Sequence, residues 1–141
     1  MEEWESNEKK KEYLRSYQKA VRREQEILEE IQQLRMDKMF PSVVNDGMPK
    51  SNKYSDLAEY VVKVDELMEK LKNERFEKIK LMDDILYSIS LLQNEDEQKV
   101  LKLRYIKGLK WEEVALGMNY KWAQMHRIHS RALKNFKHDT L

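Results

Sequence analysis

The chain has 141 residues, of which 38% are charged and 40% hydrophobic, with three glycines, two prolines and no cysteine. This length accommodates one domain, or one small domain with an extended appendage, and the scarcity of helix breakers favours helices. The absence of cysteine excludes disulfides and thiolate metal sites and fits a reducing intracellular setting. The charged start, MEEWESNEKKKEY, and the lack of a long apolar run predict neither a signal peptide nor a membrane span, so we expect a soluble, cytoplasmic protein.

Two long helices are predicted within a first domain at residues 1–92. They cover 4–39 and 55–92, and Ser55 has the residue type of an N-cap for the second helix. The linker between them, 40–54, contains both prolines and one glycine and has the chemistry of a loop.

Apolar residues recur along both helices at the spacings of a single helix face. Neither stripe can be buried by its own helix, so each needs a partner, either in the same chain or in a second copy. The simplest arrangement is a long antiparallel hairpin. The first stripe contains Leu14, Tyr17, Val21, Leu28, Ile31 and Leu34, and the second runs through Leu57, Tyr60, Val61, Val64, Met68, Leu71, Phe76, Ile79, Met82, Ile85, Leu86 and Ile89.

A second domain is predicted at 93–141, beginning with a helix after Asn94. Asn is a preferred N-cap, and Glu97 follows it at the capping-box spacing. This helix is expected to end at Gly108, since glycine accepts the left-handed conformation that commonly ends helices.

Two short helices follow, at 111–117 and 121–137, with Asn119 in the turn between them. Asn tolerates positive φ better than most residues, and Ala115 is small where the helices must approach closely. The spacing is that of a helix-turn-helix. The side chains expected to face the interior are Val114, Met118, Met125, Ile128, Ala132 and Phe136.

The C-terminal end of the chain is basic. Residues 98–141 hold ten Lys or Arg against three acids, whereas residues 1–97 hold 17 against 23. A basic surface suits contacts with DNA phosphates, and Arg127 is suited to a guanine edge in the major groove. Lys110 precedes the helix pair where a phosphate would lie. The outer face of the last helix is expected to present Ala123, His126, Arg127, Ser130, Arg131 and Lys134.

The segment YIKGLKWEEVALGMNYKWAQMHRIHSRALKNF resembles region 4 of sigma-70-type factors, the module that recognises the promoter −35 element. The similarity covers about residues 94–136 and lies in Glu112-Glu113-Val114, in Asn119 and in Ile128…Arg131-Ala132-Leu133. With its long helical N-terminal part, the chain is similar to small sigma-region-4-like regulators of Gram-positive phages and prophages, of the late-gene-activator or autolysin-regulator type.

This resemblance implies a recognition helix that docks in the major groove of double-stranded DNA. The family's base-contacting positions fall on Trp122, Ala123, His126 and Arg127. Sigma factors usually carry Arg and Glu in place of Trp122 and Ala123, and Ser or Thr in place of Lys121, which has no side-chain oxygen to cap the helix. The resemblance therefore implies the docking geometry but not −35 specificity.

Other kinds of site have little support. His126 and His129 are three residues apart, but a zinc site normally needs at least three protein ligands, and the nearest others are His138 and Asp139. We place His129 at the edge of the core and His126 on the exposed side. No Gly-rich phosphate loop or nucleophile–base set is present, so we expect no metal, no other cofactor and no enzymatic activity.

The sequence thus predicts an all-α protein, with a long antiparallel helical hairpin followed by a C-terminal sigma-region-4-like helix-turn-helix bundle. The expected function is that of a sequence-specific DNA-binding transcriptional regulator, prophage-encoded by its resemblance. The N-terminal helices would mediate homodimerisation or partner contact, RNA polymerase is a further candidate partner, and no membrane contact is expected. The alternative is a helical protein–protein interaction module, for example one that binds RNA polymerase, without specific DNA recognition.

Overall fold

The computed structural model of the chain describes residues 2–39 and 53–139, and this part contains helices and turns but no strand. It confirms the all-α fold class and the pair of long N-terminal helices. The five helices are α1 (Glu2–Met39), α2 (Lys53–Ser90), α3 (Glu95–Leu101), which continues into a π-helical turn (Lys102–Ile106), α4 (Trp111–Met118) and α5 (Trp122–Asn135). Among the described residues, no helix combines the length and apolarity needed to cross a bilayer.

The ends of the long helices differ slightly from the prediction. Helix α2 already includes Lys53, so Ser55 lies inside its first turn and the prediction of Ser55 as N-cap is wrong. Nothing in residues 53 and 54 breaks a helix, and the helix therefore extends past the preferred capping residue. The rest of the predicted linker, 40–52, lies outside the described residues.

The chain divides into two compact units. One comprises residues 1–20 and 78–141 and contains both termini, so it is called the terminal unit here; the other, the hairpin unit, comprises residues 21–77. The predicted boundary between 92 and 93 does not coincide with this division. The reason is that the outer ends of α1 and α2 contribute side chains to the same core as α3, α4 and α5.

In the hairpin unit, α1 and α2 pack as antiparallel neighbours. Arg23 pairs with Glu74 at 3.2 Å, and Lys38 lies over the ring of Tyr60, so residue numbers rise along one helix as they fall along the other. Such exposed contacts stabilise little, and most of the stability of this unit must come from its small apolar core. That core contains Ile27, Ile31 and Leu71, flanked by Leu28 and Leu67.

The terminal unit has a larger core that both long helices help to build. Leu14 of α1 and Ile85 and Ile89 of α2 are fully buried in it. All six residues predicted to face the interior of the helix-turn-helix are buried as well, which confirms the assigned inner faces of α4 and α5. These are Val114, Ala132, Met118, Met125, Ile128 and Phe136.

Helix α3 begins as predicted but ends differently. The side chain of Asn94 accepts a hydrogen bond from the Glu97 backbone N–H at 3.0 Å, so the N-cap is confirmed. The Glu97 carboxylate does not complete a capping box, because it is buried and accepts a hydrogen bond from Asn135 Nδ2 at 2.7 Å. The helix then widens into the π-helical turn, and Gly108 follows with φ +70°, the left-handed conformation that was predicted.

We predict that Gly108→Ala lowers the free energy of unfolding by about 1–3 kcal/mol, as judged by urea denaturation. An added Cβ would lie 2.9 Å from Oε1 of Gln18, whose Nε2 donates to the carbonyl of Ile106 at 2.8 Å. Gly117→Ala is the matched control, because Gly117 is helical and its added Cβ would meet only Leu103, at 3.3 Å. The control should change stability by less than about 1 kcal/mol, and equal losses in both variants would contradict the strain at Gly108.

Candidate nucleic-acid interface

The turn between α4 and α5 is closed by a left-handed residue. Asn119 has φ 60° and ψ 39°, and it is the only residue other than glycine with positive φ in the described part of the chain. Its N–H donates to the carbonyl of Leu116, and the N–H of Tyr120 donates to the carbonyl of Ala115, both at 3.1 Å. These bonds satisfy carbonyls that the end of α4 would leave unpaired. The role predicted for Asn119 is confirmed.

A lysine precedes each helix of the pair. Lys110 stands before α4, where its backbone N–H donates to Oε1 of Glu113 at 3.3 Å. Lys121 has extended dihedrals before α5 and makes no side-chain cap bond, as predicted. The first N–H groups of α5 therefore have no capping oxygen from Lys121, and an uncapped helix start beside a lysine favours an anion.

The structure brings most of the predicted contact residues together on the outer face of α5. Eight of the nine are exposed, and a shallow surface groove runs between Ala123, His126, Arg127, Ser130 and Arg131. Among the described residues, none of the basic side chains of this face forms an ion pair. The exposed members of the predicted set are Lys110, Lys121, Trp122, Ala123, Arg127, Ser130, Arg131 and Lys134.

His126 is not the exposed side chain that the helical wheel predicted. Its ring lies between Trp111, with centroids 4.9 Å apart, and Trp122, at 4.5 Å. Its Nε2 is buried without a hydrogen-bond partner among the described residues. Trp122 meets the imidazole in a T-shaped contact and remains 49% exposed. The helical wheel did not predict the partial burial of His126, because one of the two rings that cover it, Trp111, belongs to another helix.

Arg104 packs against Trp111, the first of these two tryptophans. Its guanidinium lies 4.2 Å from the Trp111 ring centroid, and its Nη1 donates to the carbonyl of Leu109 at 2.9 Å. Arg104, Trp111, His126 and Trp122 thus form a continuous series of contacts, in which the rings are tilted or edge-on to one another, called the aromatic stack below. A cation–π contact of this kind contributes about 0.5–2 kcal/mol. The sequence alone assigns Arg104 no role, because only the fold brings it to Trp111.

His129 belongs to the core rather than to its edge. It is 6% exposed, and its Nε2 lies 2.8 Å from the hydroxyl of Tyr105. Burial, reinforced by nearby cationic side chains, lowers the pKa of His129 to about 3, and burial raises the pKa of Tyr105 to about 12. The imidazole is therefore neutral at physiological pH. The described residues contain no group of three potential metal ligands.

The far end of α5 is held by α1. The ammonium of Lys10 donates to the carbonyl of Leu133 at 2.8 Å, in the last turn of α5. A cation at this position interacts favourably with the negative end of the helix dipole. The ring of Tyr13 packs near Phe136, with centroids 6.3 Å apart. The outer face of α5 is thus anchored at its start by the aromatic stack and at its end by α1.

No family model, curated protein or solved structure matches the chain.

We predict that His129 makes the stability of the protein fall in mild acid. Its folded-state pKa of about 3 lies below the ordinary value of 6.5, so its contribution is complete above pH 6.5 and is lost as the pH falls toward 3. Between about pH 7 and pH 5 the native protein should lose roughly 2 kcal/mol more than His129→Gln in urea denaturation.

Tyr105→Phe is the control for this prediction. It removes the hydrogen bond but leaves His129 buried, so it should lower stability by about 1 kcal/mol at every pH and keep the pH dependence. Identical pH profiles for the native protein and His129→Gln would contradict a neutral, buried imidazole.

Proposed function

We propose that the protein is a sequence-specific DNA-binding transcriptional regulator whose α5 docks in the major groove of double-stranded DNA. The observation that carries the proposal is the unpaired basic face of α5, presented by a helix pair with a left-handed Asn119 turn. A helix of this diameter fits the major groove, and basic side chains without internal partners are free to meet phosphates.

The predicted contact residues would have two different roles, phosphate binding and base reading. Lys110, Lys121 and Lys134 stand before α4, before α5 and in the last turn of α5, where they would contact phosphates and set the register. Arg127 and Ser130 lie in the groove on the outer face of α5 and would meet base edges, with Arg127 suited to guanine.

The residues at the start of α5 would give this proposed recognition helix a DNA sequence preference of its own. Lys121, Trp122 and Ala123 stand where sigma factors usually have a capping residue and two readers. Trp122 is 49% exposed and would stack on a deoxyribose or a base. His126 would support Trp122 rather than read DNA, because its ring is enclosed between two tryptophans. The proposed target is therefore not the usual −35 element.

A second candidate function is contact with another protein, such as RNA polymerase. It is favoured by Leu116, an apolar side chain on α4 that is 81% exposed beside the acidic Glu112 and Glu113. An exposed leucine next to carboxylates suits a partner surface that is apolar and basic. Such contact is compatible with DNA binding by α5, and a regulator of bacterial or prophage promoters would act in the cytoplasm.

Binding of the full chain to duplex DNA should weaken steeply with salt. With roughly four to six phosphate contacts, we expect the logarithm of the association constant to fall with the logarithm of salt concentration at a slope of about −4 to −5. Fluorescence anisotropy with a labelled duplex measures this slope. Binding that is absent at low salt, or insensitive to salt, would favour the interaction-module alternative.

Two variants should separate base reading from phosphate binding. Arg127→Ala should relax the preference for one base pair by about 1–3 kcal/mol, whereas Lys134→Ala should weaken binding to all duplexes alike and reduce the salt slope by about 1. Lys99→Ala removes an exposed lysine from α3 and is the control that should change neither quantity. If Arg127→Ala and Lys134→Ala bind DNA like the native protein, α5 is not the recognition helix.

A further inference from the structure

Helix α2 has an apolar face that α1 does not cover. Within the hairpin unit, Val61, Met68 and Phe76 are 47%, 44% and 67% exposed. Asp65 and Lys72 lie between them and are also exposed. The five residues are spaced by four, three, four and four positions, so they share one side of the helix, called the α2 outer face below.

This face points away from the packing of α2 against α1. The inner side of α2 is marked by Leu67 and Leu71, which pack with the core of the hairpin unit. At about 100° per residue, Met68 lies roughly 60° and Asp65 roughly 120° around the helix from Leu71. Among the described residues, neither Asp65 nor Lys72 forms an ion pair. The face therefore presents apolar side chains and two unpaired opposite charges.

We propose that the α2 outer face binds the same face of a second copy of the chain in antiparallel register, with the twofold axis between Met68 and Glu69. In this register Val61 lies opposite Phe76 of the other copy, and Asp65 lies opposite Lys72. Because the pairing is symmetric, each contact occurs twice. A parallel register would instead place each charge against its own like charge, which is unfavourable.

The charges along α2 point to the same register. In this register residues 70–77, with three bases and two acids, lie opposite residues 60–67 of the other copy, with one base and two acids. The small opposite net charges of these two segments therefore face each other. The proposal identifies which surface of the N-terminal helices would form a homodimer. It does not rest on the proposed DNA function, because association is measured without DNA.

A charge exchange tests the register by sedimentation equilibrium of the full chain. The native protein should form dimers in the micromolar range, and Asp65→Lys should raise the dimer dissociation constant about tenfold, since two attractions become repulsions. Adding Lys72→Asp to Asp65→Lys should restore the native value. Glu66→Lys makes the same charge change on a different side of α2 and should shift the constant by less than about twofold.

A native chain that stays monomeric, an Asp65→Lys variant that dimerises like the native protein, or a double variant that is not restored would each overturn the proposal. Far-ultraviolet circular dichroism checks that all variants keep their helices.

Disulfide trapping provides a second test, because the chain contains no cysteine of its own. A mixture of Val61→Cys and Phe76→Cys should form a mixed disulfide under mild oxidation. Each variant alone should not, since its two copies of the same cysteine would lie roughly 22 Å apart along the helix, beyond disulfide reach. Efficient self-linking of both single variants would indicate a parallel pair and overturn the antiparallel register, and so would the absence of the mixed disulfide.

Discussion

The terminal unit depends on a core that no contiguous segment of the chain can build alone. Leu14 of α1 and Ile85 and Ile89 of α2 are fully buried in the same cluster as the inner faces of α4 and α5. Burying one such side chain contributes about 1.5–3 kcal/mol, which is a large share of the stability of a small domain. The helix-turn-helix is therefore held by the ends of both long helices. Changes at these ends are expected to alter how α5 is presented.

Two residues with left-handed backbone conformation and the aromatic stack shape the turns that lead into α5. Asn119 closes the turn in the left-handed conformation, and Gly108 closes the preceding turn where Gln18 approaches closely. The aromatic stack then connects the π-helical turn to the first residues of α5. Because these contacts pack the start of the helix against the rest of the terminal unit, the proposed readers, Arg127 and Ser130, project from a helix that is already formed. A binding surface that is already formed loses less entropy when it binds.

The elements themselves were predictable because their signals are local. Apolar spacing predicted the helices and the buried faces of α4 and α5, and residue type predicted the cap at Asn94 and the left-handed residues at Gly108 and Asn119. The environment of His126 was not predictable, since it depends on Trp111 from a different helix. The same holds for the carboxylate of Glu97, which does not complete the capping box with Asn94 and instead accepts a hydrogen bond from Asn135. The predicted domain boundary between residues 92 and 93 differs from the observed division into units for a related reason. Periodicity shows which side of a helix is buried, but not which core that side packs into.

The most direct measurement of the central proposal is selection of duplexes from a random DNA library by the full chain. We expect enrichment of a short motif that contains a guanine, bound about a thousandfold or more tightly than unselected duplexes at physiological salt. Selected pools that bind no better than the starting library would contradict a sequence-specific role for α5.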